Sequence, residues 1–266
     1  MPAATATHSA TSAEHRITLL GIDIDNVTMA EAIDEVMARL EAGLRTRLLF
    51  VNADCVNISF RDAAYREILR AGDLVLADGL GMWLAGKIRG ATVRDNVNGT
   101  DLFPRLCGRL AGTPFRVFLL GARPGVAEDV RTWIARHHPE VVVCGVRDGY
   151  FPLEQSPQVA ATIREARTDV LLVAMGAPRQ EAWIDGNLEA TGATVAMGVG
   201  GLFDFYSGQI PRAPRWMRDW GLEWVYRFAR EPRRMWKRYW VGNFVFMWRV
   251  ICHRPLKDRP AEASST

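Results

Sequence analysis

Arg116-Val-Phe-Leu-Leu-Gly-Ala-Arg-Pro-Gly-Val-Ala-Glu128 joins an unbroken apolar run to a glycine-bounded turn and to an amphipathic segment that continues to Ala135. A run that is apolar at successive positions, not at alternate ones, is what a strand buried on both faces requires. The same order recurs along the chain. Leu48-Leu-Phe-Val51, Leu74-Val-Leu76, Val141-Val-Val-Cys-Gly145, Asp169 to Met175 and Ala193 to Met197 read as further strands separated by amphipathic stretches. That alternation predicts an α/β fold: an open, mainly parallel, Rossmann-like sheet with helices on both faces. Ile17-Thr-Leu-Leu-Gly21 reads as a first strand, and Thr28-Met-Ala-Glu31 as a capping box opening a helix with Ile33, Val36, Met37 and Leu40 on one face. One helix is expected from Val51 to about Arg70, another over Gly81 to Arg89, and a third to Leu110 capped by Asp101.

The chain of 266 residues is long enough to bury a sizeable core without a staple. Cys55, Cys107, Cys144 and Cys252 are far apart and form no CxxC pair, so they read as reduced core thiols of a cytoplasmic protein. The histidines show no metal spacing, and no metal or cofactor is expected. Residues 1–15 are small and polar, without the basic start and apolar centre of a signal peptide, and are expected to be disordered, as is the tail 258–266.

After Pro211 the strand pattern stops. The sheet domain is therefore expected over 16–210 and a helical appendage over 211–257. Between Arg212 and Arg254 lie eleven Lys or Arg against Asp219, Glu223 and Glu231, a local charge of +8 on a chain of +3, with six of the nine tryptophans. Indole prefers the headgroup layer and arginine pairs with phosphate, so a membrane surface is the first candidate partner. The run Trp240 to Trp248 is about half the ~20 residues that a spanning helix needs, which predicts docking without crossing. Trp216, Trp220 and Trp224 at i, i+4 and i+8 also fit helix packing, and basic residues with aromatics fit single-stranded nucleic acid.

In an open parallel sheet, ligands bind beyond the carboxyl ends of the strands. Those ends supply Asn52, Asp78, Gly121 and Gly125, Gly176 to Gln180, and Gly198, Gly200 and Gly201. Glycines let backbone approach a phosphate, and a following helix N-terminus favours its charge. Gly121-Ala-Arg-Pro-Gly125 is not the GxGxxG dinucleotide fingerprint and serves equally as a plain tight turn. Asp78, between Ala77 and Gly79, is either a general base for a sugar hydroxyl or a helix-capping aspartate. Gln180 can hydrogen-bond a sugar or a nucleobase, whereas Glu181 suits the helix dipole.

Blocks in the same order along residues 17 to 250 are similar to the WecG/TagA/CpsF glycosyltransferase family. They are Asn52-Ala-Asp54, Ala77-Asp-Gly-Leu-Gly81, Asn98-Gly-Thr-Asp-Leu102, Phe118 to Glu128, Asp148-Gly-Tyr-Phe151, Gly176-Ala-Pro-Arg-Gln-Glu-Ala-Trp183, Gly198 to Asp204, Arg212-Ala-Pro-Arg-Trp216, Leu222 to Phe228 and Glu231-Pro-Arg233. The resemblance implies an inverting transfer from a nucleotide-sugar donor to a lipid-diphosphate-linked sugar, in the synthesis of exopolysaccharide, teichoic acid or common antigen. It implies a cytoplasmic enzyme, peripheral on the inner face of the membrane. The family's proposed base falls on Asp78 and its conserved glutamine on Gln180. Its appendage arginines fall on Arg212, Arg227 and Arg233 or Arg234. Two positions depart from the pattern: Phe50 replaces a threonine, and Asn96 stands where many members have arginine, which moves that candidate to Arg94.

The expected mechanism is a single displacement. Asp78, Gln180 and Arg227 carry the chemistry. Asn52, Arg94, Asn98, Asp101, Gly121, Gly125, Gly176, Gly200, Gly201, Arg212, Arg233 and Arg234 bind substrate. Asp23-Ile-Asp25 lacks a third ligand, so turnover is expected without a metal. The rivals are a nucleotide-sugar oxidoreductase or epimerase, against which the missing fingerprint argues, and a non-enzymatic membrane or nucleic-acid adaptor; nucleic acid is not an expected partner of the transferase. The apolar stripe of the appendage leaves room for a homo-oligomer.

Overall fold

The computed structural model describes residues 16–214, 216–217, 223–230, 236 and 240–252. The leader 1–15, the tail 258–266, Trp220, Arg233 and Arg234, for which expectations were stated, lie outside the described residues, as does the side chain of Arg227.

The described chain opens on an antiparallel hairpin, β1 (Arg16–Leu19) and β2 (Ile22–Asp25), which stands apart from the main sheet. Ile17 to Gly21 was expected as one strand; it is instead a strand and its turn. Asp25 is buried, accepting from Arg16 Nε at 2.8 Å and from the Val75 backbone N–H at 2.8 Å. Helix α1 (Met29–Glu41) begins at the expected capping box, with Thr28 and Glu31 exchanging side-chain-to-backbone bonds.

Strand β3 (Thr46–Val51) leads into α2 (Ala53–Ser59) and α3 (Ala63–Arg70). These are two helices where one was expected, because Asp62 accepts from the Tyr65 N–H and caps the second afresh. Strand β4 (Leu74–Ala77) precedes α4 (Leu80–Arg89), and α5 (Gly99–Leu110) follows. The cap of α5 is Asn98, not Asp101: Asn98 Oδ1 accepts from the Asp101 N–H at 2.8 Å.

Next come β5 (Arg116–Gly121), α6 (Val126–His137) and β6 (Val142–Arg147), followed by α7 (Ser156–Glu165), which the sequence reading passed over. Then β7 (Val170–Ala174), α8 (Arg179–Thr191), β8 (Val195–Gly198) and α9 (Leu202–Tyr206) complete the α/β unit. Helices α10 (Glu223–Arg230) and α11 (Gly242–Cys252) follow.

The main sheet has six strands, all parallel, in the order β4-β3-β8-β7-β5-β6. Strand alternation divides its apolar side chains between two faces. Leu48, Leu76, Leu119, Leu172 and Met197 meet α1, α5 and α6 on one face. On the other, Leu49, Val51 and Val75 pack with the hairpin, α2, α3 and α4, while Phe118, Leu120, Leu171 and Val173 pack with α7 and α8. Phe246 and Val250 of α11 are fully buried in the second of these groups. Cys55 and Cys107 are buried and Cys144 is half-buried, but Cys252 is exposed and not the core thiol expected.

The connection from β3 to β4 runs toward one edge and that from β5 to β6 toward the other. The carboxyl ends of β3, β8, β7 and β5 therefore lie side by side where the strand order reverses, the place at which such sheets bind ligands.

Candidate active site

Two cavities meet over those strand ends. The larger, about 680 Å³, is bounded by the loops after β5, β7 and β8 and by Asn52 and Asp78. The smaller, about 340 Å³, lies between α4, the loop before α5 and the helices α10 and α11. Asn52, Asp78, Thr100 and Phe205 line both.

Asp78 follows the last residue of β4, and its backbone N–H donates to the Val51 carbonyl at 2.9 Å. Asn52 Nδ2 donates to Asp78 Oδ2 at 3.2 Å, while Asn52 Oδ1 accepts the Asp54 and Cys55 N–H groups at 3.0 and 3.2 Å. One amide thus caps α2 and aims the carboxylate. Helix α4 begins at Leu80, with Gly79 as its N-cap residue. Gly79 holds φ +93°, a conformation that L side chains rarely adopt, and its N–H donates to Asn96 Oδ1 at 2.6 Å.

Gln180 is 5% exposed under the larger cavity. Its Oε1 accepts the Gly176 and Gly200 N–H groups at 3.0 and 2.9 Å, and its Nε2 donates to Glu181 Oε1 at 2.8 Å. The carbonyl oxygen is filled, so Gln180 offers a sugar no acceptor. The N–H groups of Gly176 and Gly200, expected to face a phosphate, are turned to Gln180 instead. Gly201 also lines this cavity, whereas Gly121 and Gly125 do not.

Arg94 lines neither cavity. Both terminal nitrogens are 2.8 Å from the Glu31 carboxylate, beside the start of α1, so Arg94 does not take the place left by Asn96. Asn96 itself lines the smaller cavity, with Asn98 and Asp101. Arg212 lines neither; its Nη2 is committed to Asp101 at 2.8 Å and to Glu223 at 3.4 Å, tying the start of α5 to α10. A guanidinium between two carboxylates has less charge to offer a phosphate.

The sequence reading missed Arg123 and Arg179. Both line the larger cavity and both are exposed. Arg179 Nη2 donates to the Phe151 carbonyl at 3.0 Å, which fixes its guanidinium, and Arg123 lies in the turn after β5. The available signal was a cation in the turn after β5 and another at the start of the helix that follows β7. Cys55 also lines this cavity, but burial pushes its thiol up to about 12, which rules out a thiolate nucleophile near neutral pH. Among the described residues, no group of three or more His, Cys, Asp or Glu could hold a metal ion.

The smaller cavity is lined on its other side by Leu80, Leu84, Trp224, Phe246 and Met247. Outside it, α4 exposes Trp83 and Ile88, and α11 exposes Phe244, Trp248 and Ile251, with Trp240 just before α11. Lys87 Nζ sits 4.3 Å over the Trp83 ring. No described helix is long and apolar enough to cross a membrane.

The chain matches the model of the glycosyl transferase WecG/TagA/CpsF family over residues 17–260. It is 33% identical over 188 residues to an N-acetylglucosaminyldiphosphoundecaprenol N-acetyl-beta-D-mannosaminyltransferase of Bacillus subtilis, covering 71% of this chain and 72% of that one. It is 30% identical over 243 residues to the Staphylococcus aureus (strain MW2) protein of the same name, covering 88% of this chain and 92% of that one. On these matches and this sheet, the chain belongs to the WecG/TagA/CpsF family of glycosyl transferases.

Proposed function

We propose that the chain transfers an N-acetylhexosamine, with N-acetylmannosamine the first candidate, from a nucleotide-sugar donor in the larger cavity to a polyprenyl-diphosphate-linked sugar in the smaller one. The observation that carries this reading is that Asp78 and its tether Asn52 stand on the wall common to both cavities. A base there reaches an acceptor hydroxyl on one side while the donor's anomeric carbon lies on the other. Asp78 takes the hydroxyl proton, the oxygen attacks the anomeric carbon, and the bond to the nucleoside diphosphate breaks from the opposite face, so the configuration inverts.

Negative charge grows on the leaving diphosphate. Among the described residues, Arg123 and Arg179 are the arginines that line the larger cavity. Pre-aimed charged donors stabilise such a charge most. Charge-assisted bonds are worth about 1.5–3 kcal/mol each. The double variant Arg123→Ala/Arg179→Ala is therefore expected to lower kcat/KM for donor by roughly 10²-fold or more. An unchanged value in steady-state kinetics would remove both from the diphosphate site.

The apolar wall of the smaller cavity suits the lipid end of the acceptor, and the exposed side chains of α4 and α11 continue that wall outward. We read this face, α4 included, as the surface that docks peripherally on the inner leaflet. Burying one large apolar side chain is worth about 1.5–3 kcal/mol. Trp83→Ala/Phe244→Ala should therefore lower partitioning into anionic phospholipid vesicles at least roughly tenfold, with transfer to a short-chain soluble acceptor retained. Equal flotation of variant and parent would place docking elsewhere.

The reading as a whole is tested by incubating the protein with UDP-N-acetylmannosamine, other UDP-sugars and GDP-mannose, each with short-chain lipid diphosphates bearing GlcNAc or glucose. Transfer from one pair supports it; none from any pair defeats it.

A further inference from the structure

Glu181, read from sequence as a helix-dipole carboxylate, is 1% exposed and faces inward. Its Oε1 receives Gln180 Nε2, while its Oε2 and the Tyr65 hydroxyl of α3 are buried facing each other without a hydrogen bond of normal geometry. Burial pushes this carboxyl upward, toward the neutral acid, which has the shape and hydrogen-bonding capacity of a carboxamide. Through Gln180, the carboxyl is connected to two separate strand ends, because the same side chain accepts from Gly176 after β7 and Gly200 after β8. The fit beneath is tight: a Cβ on Gly198 would lie 2.8 Å from Gln180 Nε2.

We propose that Glu181 is a positioning residue of the larger cavity: by holding the Gln180 side chain, it makes Gln180 a latch between the Gly176 and Gly200 loops and presets the wall against which the donor binds. The functional half of this rests on the larger cavity being the donor site; the latch itself does not. A buried Nε2 deprived of its acceptor must find another partner, and the rotation that does so withdraws Oε1 from both loop amides. The loops then pay for their ordering when the donor arrives, which raises donor KM more than it lowers kcat.

The test compares the full-length parent, Glu181→Leu, Glu181→Gln and Gly198→Ala by amide hydrogen exchange in peptides covering Gly176 and Gly200, and by steady-state kinetics. Glu181→Leu is expected to speed exchange in both peptides about tenfold or more and to raise donor KM about tenfold, with kcat and acceptor KM within roughly threefold. Glu181→Gln is expected to restore both. Gly198→Ala leaves Glu181 intact and crowds Gln180 from below, so it should copy Glu181→Leu and serves if that variant fails to fold. Unaltered exchange in Glu181→Leu or Gly198→Ala overturns the latch, as does a Glu181→Gln protein no better than Glu181→Leu. Faster exchange with an unmoved donor KM overturns its role in donor binding. A parent without transferase activity refutes the donor-site reading, and the exchange data still decide the latch.

Discussion

Asp78→Asn is expected to lower sugar transfer roughly 10²- to 10⁴-fold, the range that a positioned general base supplies, while thermal unfolding stays near that of the parent. The substitution keeps two contacts made at this position. The backbone N–H still donates to Val51, and an amide oxygen still accepts from Asn52 Nδ2, so Asn52 goes on capping α2. What disappears is the capacity to accept a proton. The acceptor hydroxyl would then attack while still protonated, and water cannot easily substitute in a wall shared by two occupied cavities. The loss should fall on kcat, with both KM values little changed, because an interaction made only in the transition state is removed. Equal turnover by the two proteins would keep the family and its sheet but strip Asp78 of the base role, and Asp204, which also lines the larger cavity, would be the next carboxylate to replace.

The inner strands of the main sheet were legible because they are buried on both faces: Arg116 to Leu120 and Val170 to Ala174 leave no polar period to confuse with a helix. The hairpin was not. Ile22-Asp-Ile-Asp25 alternates as a strand should, yet it was weighed only as an acidic pair lacking a third metal ligand, and the partners of Asp25 reveal a buried structural anion. Asn98 and Asp101 are both good cap residues three apart, so spacing could not choose between them. The site divides the same way. Asp78 and Asn52 were legible as candidates because they follow strands, and strand ends are predictable. The partners that decide a role come from elsewhere in the chain. Arg94 is claimed by Glu31, Arg212 by Asp101 and Glu223, and Gln180 by two loops, contacts that no local pattern encodes. Arg123 and Arg179 are exposed, as most surface arginines are, and no local pattern marks them as cavity-lining.

Gly121→Ala should cost about 3–5 kcal/mol of stability, combining backbone strain with overpacking. For a chain of this size that is a fall in Tm of roughly 10 °C. Gly121 was read from sequence as part of either a phosphate cradle or a plain tight turn, and it lines neither cavity. Its φ is +130°, and a Cβ there would stand 2.4 Å from the Ala174 carbonyl oxygen and 2.6 Å from its carbon. Those atoms belong to the neighbouring strand and cannot yield like a side chain. Gly121 is paired with Ala174 in the β5–β7 register, and the next N–H, of Ala122, donates to that same carbonyl at 2.7 Å. To admit a methyl group, the two central strands must part at the edge of the larger cavity. Gly125 supplies the contrast within one turn: its φ is +87°, but nothing lies within 4 Å of its Cβ position, so Gly125→Ala meets strain without a clash and should cost only ~1–3 kcal/mol. Thermal unfolding of the two variants separates the accounts. A larger loss at Gly121 means that the first glycine of the motif is fixed by strand packing. A stable Gly121→Ala protein whose only defect is a raised donor KM would return it to the phosphate.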